Sequence, residues 1–416
     1  MHTFKQSPYW LSPSGNGDDY IKTYPSLEKN ITADICVIGG GITGVMIAYA
    51  LVQHGVKVVL VEKETLGSGA TGRNTGFILS GTVEHYNRAV TFWGKDKAKR
   101  VWKYTQRNHE ILKEIIKDEK IYCDYEQNGS LVLAVTEQEG KEVRETYALL
   151  SDDGFSCEWL SSKDCAELLN TDFFTGAVRM PQDGGFHPVD FVSNISETLK
   201  KQGVSIFEKT PVIDIQSTGM ENSLEIHTAN GKVDCAMAIL ATNGYTQNIV
   251  PEFKDLIVPV VGQAFVTGPV QKSMFREVIY ANFGYEYWRQ LPDNRIIVGG
   301  FREHAKKQII NFSDQIDLEL LDGLHDYFTN IFTEARNVCM THAWSGIMGF
   351  SKDGFPILGA TSAYPNLFIC GGFTGHGLGF SGAIGFTAAE LMVNGFAPDA
   401  DLFHINRFSQ KVRNSI

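Results

Sequence analysis

Cysteine is sparse and scattered in this chain. Cys36, Cys123, Cys157, Cys165, Cys235, Cys339 and Cys370 are odd in number and form no C-x-x-C pair in 416 residues. That usage argues against a disulfide frame or a cysteine zinc site and suits a reducing compartment. No metal is expected. Positive charge is also short: 37 Lys and Arg face 48 Asp and Glu, for a formal net charge of −11. No basic run compensates, so a nucleic-acid partner is not expected. Low-complexity tracts and internal repeats are missing. No apolar stretch reaches the length of a membrane span, and no basic, apolar and small-residue leader pattern opens the chain. A cytoplasmic protein is expected. The length exceeds what one ordinary core supports, which makes two domains the default.

What is present is concentrated in a few glycine-rich turns. Residues 34–38 read as a buried strand and run into Gly39-x-Gly41-x-x-Gly44, with Ile42 and Thr43 opening a helix. Residues 58–61 form a second strand that ends on Glu62-Lys63. In this strand–turn–helix–strand context the first glycine allows a tight turn. The second lets backbone approach a pyrophosphate, and the third lets helix pack on strand. The helix start offers free N–H groups and a positive dipole end to phosphates. Glu62 follows at the distance where an acid reaches a ribose hydroxyl. The unit predicts a bound dinucleotide.

Two further loops share this chemistry. Residues 67–76 hold small and glycine steps around Ala70-Thr71-Gly72-Arg73-Asn74-Thr75-Gly76, where backbone can run along a flat or phosphorylated ligand. Arg73 carries forked donors suited to phosphate. Residues 371–382 contain Gly375-His376-Gly377-Leu378-Gly379 ahead of an apolar helix, which predicts N–H groups exposed at a positive helix end. His376 at its mouth either donates to a ligand or makes a structural hydrogen bond. Ala241, Asn243 and Gly244 close an apolar strand on a turn. Upstream of the last loop, Trp344-Ser345-Gly346 and Asp353 read as turns, with Asp353 either reaching the ligand or capping its turn.

Elsewhere the pattern alternates. Tyr285, Tyr287 and Arg289 fall on one face of a strand, where an arginine flanked by phenols suits a carboxylate-bearing substrate. The expected organisation is an irregular arm over 1–31, marked by Pro8, Pro13, Gly15, Gly17 and Pro25. A parallel-sheet nucleotide domain covers 32–120, 176–248 and 336–416, with a charged, helix-prone segment at about 83–120. An antiparallel substrate domain covers 121–175 and 249–335.

Taken together, these motifs resemble the FAD-dependent oxidoreductase superfamily of D-amino acid oxidase, glycine oxidase and monomeric sarcosine oxidase. The resemblance is nearest to its γ-glutamylputrescine oxidase-like branch. It implies an α/β (α+β overall) fold in which a Rossmann-type FAD-binding domain interleaves with an antiparallel-sheet substrate domain. It implies FAD as cofactor, Val212 beside the adenine, and residues 375–377 beside the pyrimidine edge of the flavin. It also implies oxidation of an amine or amino acid C–N bond to an imine by hydride transfer to flavin N5. Cys339 is poorly spaced for a covalent flavin link and no histidine interrupts 67–76, so FAD is expected to be non-covalent. The strand 295–300 lacks the lysine that speeds oxygen reaction in some relatives, which leaves oxygen or another acceptor to reoxidise the flavin.

Overall fold

A computed structural model describes residues 4–12, 22–218, 223–306 and 310–412. The part of the N-terminal arm at 13–21, with Pro13, Gly15 and Gly17, lies outside them. Two eight-stranded sheets carry the fold. The first runs in the order Ile357–Thr361, Tyr364–Gly371, Lys232–Leu240, Ile31–Ile38, Val58–Val61, Ser205–Phe207. Its pairs are parallel except for the hairpin between the first two strands. Val58, Val59, Leu60 and Val61 are all buried, the unbroken apolar run of a strand covered on both faces. Strands Val212–Ser217 and Leu224–Thr228 extend the sheet antiparallel beside Lys232–Leu240. Helices Ile42–Gln53 and Ser381–Asn394 contribute buried residues to the core on one face, and Pro188–Lys201 joins them there.

The second sheet runs Met340–Ser351, Ile257–Thr267, Ile296–Gly300, Glu286–Gln290, Val278–Ala281, Ser130–Ala134, Gly176–Met180, Glu158–Ser161. It is antiparallel apart from one parallel pair, Val278–Ala281 with Ser130–Ala134. Helix Leu318–Ile331 covers one face, burying Leu321, Leu324 and Phe328 with Trp288 and Phe265.

Two expectations are corrected. Gly176–Met180 and Met340–Ser351 are strands of the second sheet, so the boundaries at 176 and 336 do not follow the sheets. Trp344-Ser345-Gly346 is no turn but lies within a 12-residue strand paired to Ile257–Thr267. The helix-prone segment is helical as expected and holds two helices, Tyr86–Trp93 and Lys95–Asp118, separated by Gly94 at φ +82°. The arm is anchored by Trp10, which is buried and donates its indole N–H to the Asn74 carbonyl at 2.6 Å. Among the described residues no helix is long and apolar enough to cross a membrane.

Candidate active site

The glycine turn is built by contact as much as by conformation. Gly39 holds φ +112°, and a Cβ there would sit 2.8 Å from the Ala241 carbonyl oxygen. A Cβ at Gly44 would lie 1.9 Å from the Gly39 carbonyl oxygen, so only glycine lets the helix start this close to the strand. Glu62 ties the turn to its own strand end. Its carboxylate accepts from the N–H of Gly40 at 2.7 Å and of Glu64 at 2.9 Å. Burial pushes this carboxyl up, and the two N–H groups and Lys63 pull against it.

The 67–76 loop is laced onto the turn. Thr71 Oγ1 accepts from the Ile42 N–H at 3.0 Å. Asn74 donates Nδ2 to the Ala70 and Thr71 carbonyls and accepts from the Gly76 N–H. Arg73 donates to the Ser345 carbonyl at 2.8 Å and the Ser68 carbonyl at 3.2 Å. Trp344 returns a bond, its indole N–H reaching the Arg73 carbonyl at 2.9 Å. Thus the middle of a second-sheet strand is clamped to a first-sheet loop.

Between these elements lies a cavity of about 770 Å³. Gly39, Gly41, Ile42, Thr43, Glu62 and Lys63 line one end, with Val212, Ala241, Asn243 and Gly244 beside them. Ala70, Thr71, Arg73, Asn74 and Thr75 form a wall, and Gly346 faces Arg73 across it. The far end is lined by Gly375, His376, Gly377, Leu378 and Gly379, and by Tyr287. The N–H groups of His376, Gly379 and Phe380 are used within this loop. Those of Gly377 and Leu378 open its single 3-10 turn and have no partner within it. The long helix behind the loop does not present its first N–H groups to the cavity as expected: Asn108 Oδ1 accepts from Gly382 and Ala383 at 2.7 and 3.1 Å.

Six expected site residues are not on the lining. Gly44 and Gly76 lie just behind it, and Trp344 acts through Arg73 as described. Asp353 caps its own turn at the Phe355 N–H and pairs with Arg407 at 2.7 Å. Arg289 shares a strand face with Tyr287, yet its guanidinium is buried against backbone, donating to the Gly76 and Phe186 carbonyls at 3.0 and 3.3 Å. Burial lowers its pKa to about 10. Tyr285 lies outside the cavity with its ring under Arg302, 4.6 Å from the guanidinium carbon.

The far chamber contains groups that sequence reasoning missed: Phe77, Tyr280, Met348, Phe350 and Arg302. Tyr280 stacks on Tyr287 with centroids 5.6 Å apart and lies 5.8 Å from the His376 ring. Burial raises both phenols, Tyr280 well above the ordinary tyrosine range, and lowers His376 to about 4. Arg302 opens a short turn after Phe301, which holds φ +65°. Its guanidinium lies over the rings of Tyr285 and Phe350, and among the described residues it shows no hydrogen bond or ion pair to a carboxylate. The strand alternation of Val278–Ala281 could have pointed to Tyr280. No local pattern marks Arg302.

Residues 34–391 match the family described as FAD dependent oxidoreductase, DAO. The chain belongs to that family. Its cofactor is FAD, and it is an enzyme. Gamma-glutamylputrescine oxidoreductase of Escherichia coli (strain K12) is 27% identical over 382 residues, which cover 89% of this chain and 85% of that protein. Glycine oxidase of Geobacillus kaustophilus is 22% identical over 365 residues, covering 86% and 92%. Among solved structures, L-proline dehydrogenase from P. horikoshii shares the fold with a TM-score of 0.79 at 23% identity, covering 92% of this chain and 99% of that one. The interleaved arrangement of a Rossmann-type domain and a largely antiparallel sheet is therefore the fold of FAD-dependent oxidoreductases. The cavity suits such a group. It begins at a turn whose glycines leave room that side chains would fill, and it ends at the Gly377 and Leu378 N–H groups that open a 3-10 turn.

Proposed function

We propose that this flavoenzyme oxidises the C–N bond of a small amine or amino acid to an imine, which water hydrolyses, with FAD held non-covalently. The observation that carries the reading is the far chamber: aromatic walls from Tyr280, Tyr287 and Phe350 around Arg302, a cation without a protein carboxylate hydrogen-bonded to it among the described residues. Relatives named for glycine oxidase and gamma-glutamylputrescine oxidoreductase activity support a carboxylate-bearing amine.

Bound FAD supplies a two-electron acceptor for the hydride on the carbon beside the substrate nitrogen. In this reading Gly39, Gly41, Ile42 and Thr43 receive the pyrophosphate, and Glu62 and Val212 lie at the nucleoside end. Arg302 binds the substrate carboxylate through its forked donors, which fixes how deep the amine enters. Tyr280 and Tyr287, kept protonated by burial, exclude water and offer hydroxyl donors or acceptors to the amine. His376 is neutral at physiological pH, so it adds no positive charge that would repel the substrate or compete for its proton. The N–H groups of Gly377 and Leu378 are donors for negative charge that develops in the cavity, a preorganised form of stabilisation. No strong base is needed when the amine enters neutral and its lone pair assists. Cys339 is exposed and off the cavity lining, which supports a non-covalent cofactor.

The test is turnover with an artificial electron acceptor, assaying ammonia or a primary amine product together with the trapped carbonyl compound. Stoichiometric release of both supports C–N oxidation. Acid precipitation of the protein should leave the flavin in the supernatant, and flavin retained in the pellet would refute the non-covalent arrangement.

A further inference from the structure

On the opposite face of the substrate sheet from Tyr287, the strand Glu286–Gln290 opens with an acid in an unusual position. Glu286 is 1% exposed, and neither carboxylate oxygen has a hydrogen-bond partner. A buried carboxylate left unpaired is costly, so it recruits a proton or a cation. Two neighbours add ligand atoms for a cation. Glu303 and His304 stand in the turn Arg302–His304, and one ligand atom from each of Glu286, Glu303 and His304 lies within 4.8 Å of the others. His304 Nε2 is 3.4 Å from Glu303 Oε1. Asn282 donates to Glu303 Oε1 at 2.5 Å, the outer-shell bond that orients a ligating carboxylate. Glu139 is buried nearby, but its oxygens are occupied by the N–H groups of Val135 and Phe283. It therefore adds negative field without competing as a ligand.

We propose that Glu286, Glu303 and His304 form a divalent-cation site of zinc type behind the substrate chamber. One imidazole and two carboxylates are an N/O set that zinc accepts at about 2.0–2.2 Å in tetrahedral geometry, which places ligand atoms about 3.4 Å from each other. Side-chain movements of under about an ångström close the set to that spacing. His304 and Glu303 reach solvent, with side chains 54% and 31% exposed, which gives the ion an entry path and leaves a position for water. Loading would pin the turn that carries Arg302. The site itself stands whether or not Arg302 meets substrate.

The experiment is isothermal titration of metal-stripped, FAD-loaded enzyme with zinc chloride, in parallel on Glu286→Gln and His304→Ala. The expected result is one zinc per chain, with affinity weakened by more than about tenfold in each variant. Absence of saturable binding to the parent enzyme overturns the proposal, as does unchanged affinity in either folded variant. His304 lies largely in solvent, so His304→Ala decides the matter alone if Glu286→Gln fails to fold.

Discussion

Replacing Arg302 with methionine isolates the substrate end of the cavity. The side chain lies over the rings of Tyr285 at 4.6 Å and Phe350 at 5.9 Å and anchors nothing else among the described residues. Methionine keeps comparable bulk against those rings, so the structural cost is limited to the cation–π terms, about 0.5–1 kcal/mol each at a partly exposed site. A lost charge-assisted pair to a substrate carboxylate is worth about 1.5–3 kcal/mol, or about 10- to 150-fold in affinity. Anaerobic stopped-flow reduction of the flavin separates the two quantities. The dissociation constant for an amino-acid substrate should rise by that factor while the limiting reduction rate changes less. The matching amine without a carboxylate should show no such rise. Equal losses for both substrates, or none for the amino acid, would refute the assignment of Arg302.

Arg289→Met removes the guanidinium bonds to two carbonyls, at Phe186 and at Gly76, the second of which keeps the Phe186 N–H, for a loss of about 1–3 kcal/mol. Thermal denaturation should show a lower Tm and easier flavin loss, while the dissociation constant on the flavin-loaded fraction stays near that of the parent. Gly44→Ala forces a Cβ to within 1.9 Å of the Gly39 oxygen and should yield protein without the flavin band on purification. His85, His187 and His376 are each lowered by burial to about 4 from 6.5. As pH falls through 6.5 the unfolded chain takes up these protons first, so their contribution is full above 6.5 and is lost toward 4. Denaturant titrations from neutral to acid pH should show this loss, with a shallower slope in His85→Gln.

The nucleotide end was legible in the sequence because its logic is local. Three glycines, two apolar strands and Glu62 lie within one short stretch, and each does its work against immediate neighbours. The substrate end depends on how two sheets meet. Tyr287 and Arg289 share a face by the period of two, but the sheet passes from cavity to packed backbone between them. Arg289 therefore serves the Gly76 loop and Tyr287 serves the chamber. Arg302 enters from a turn in left-handed backbone that no periodicity marks. Trp344-Ser345-Gly346 looks like a turn in isolation, yet it becomes mid-strand by pairing with Ile257–Thr267 some 80 residues earlier. Sheet membership of Gly176–Met180 is likewise set by distant partners.

Amine oxidation is tested by anaerobic absorbance titration of the FAD-loaded enzyme with a panel of glycine, sarcosine, D- and L-amino acids, polyamines and γ-glutamylpolyamines. One class should bleach the oxidised flavin band at stoichiometric concentration, and readmitted air then distinguishes oxygen from another acceptor by the speed of the band's return. A flavin that no amine bleaches, but that a hydroxylated compound without nitrogen does, would rule out C–N oxidation as the activity.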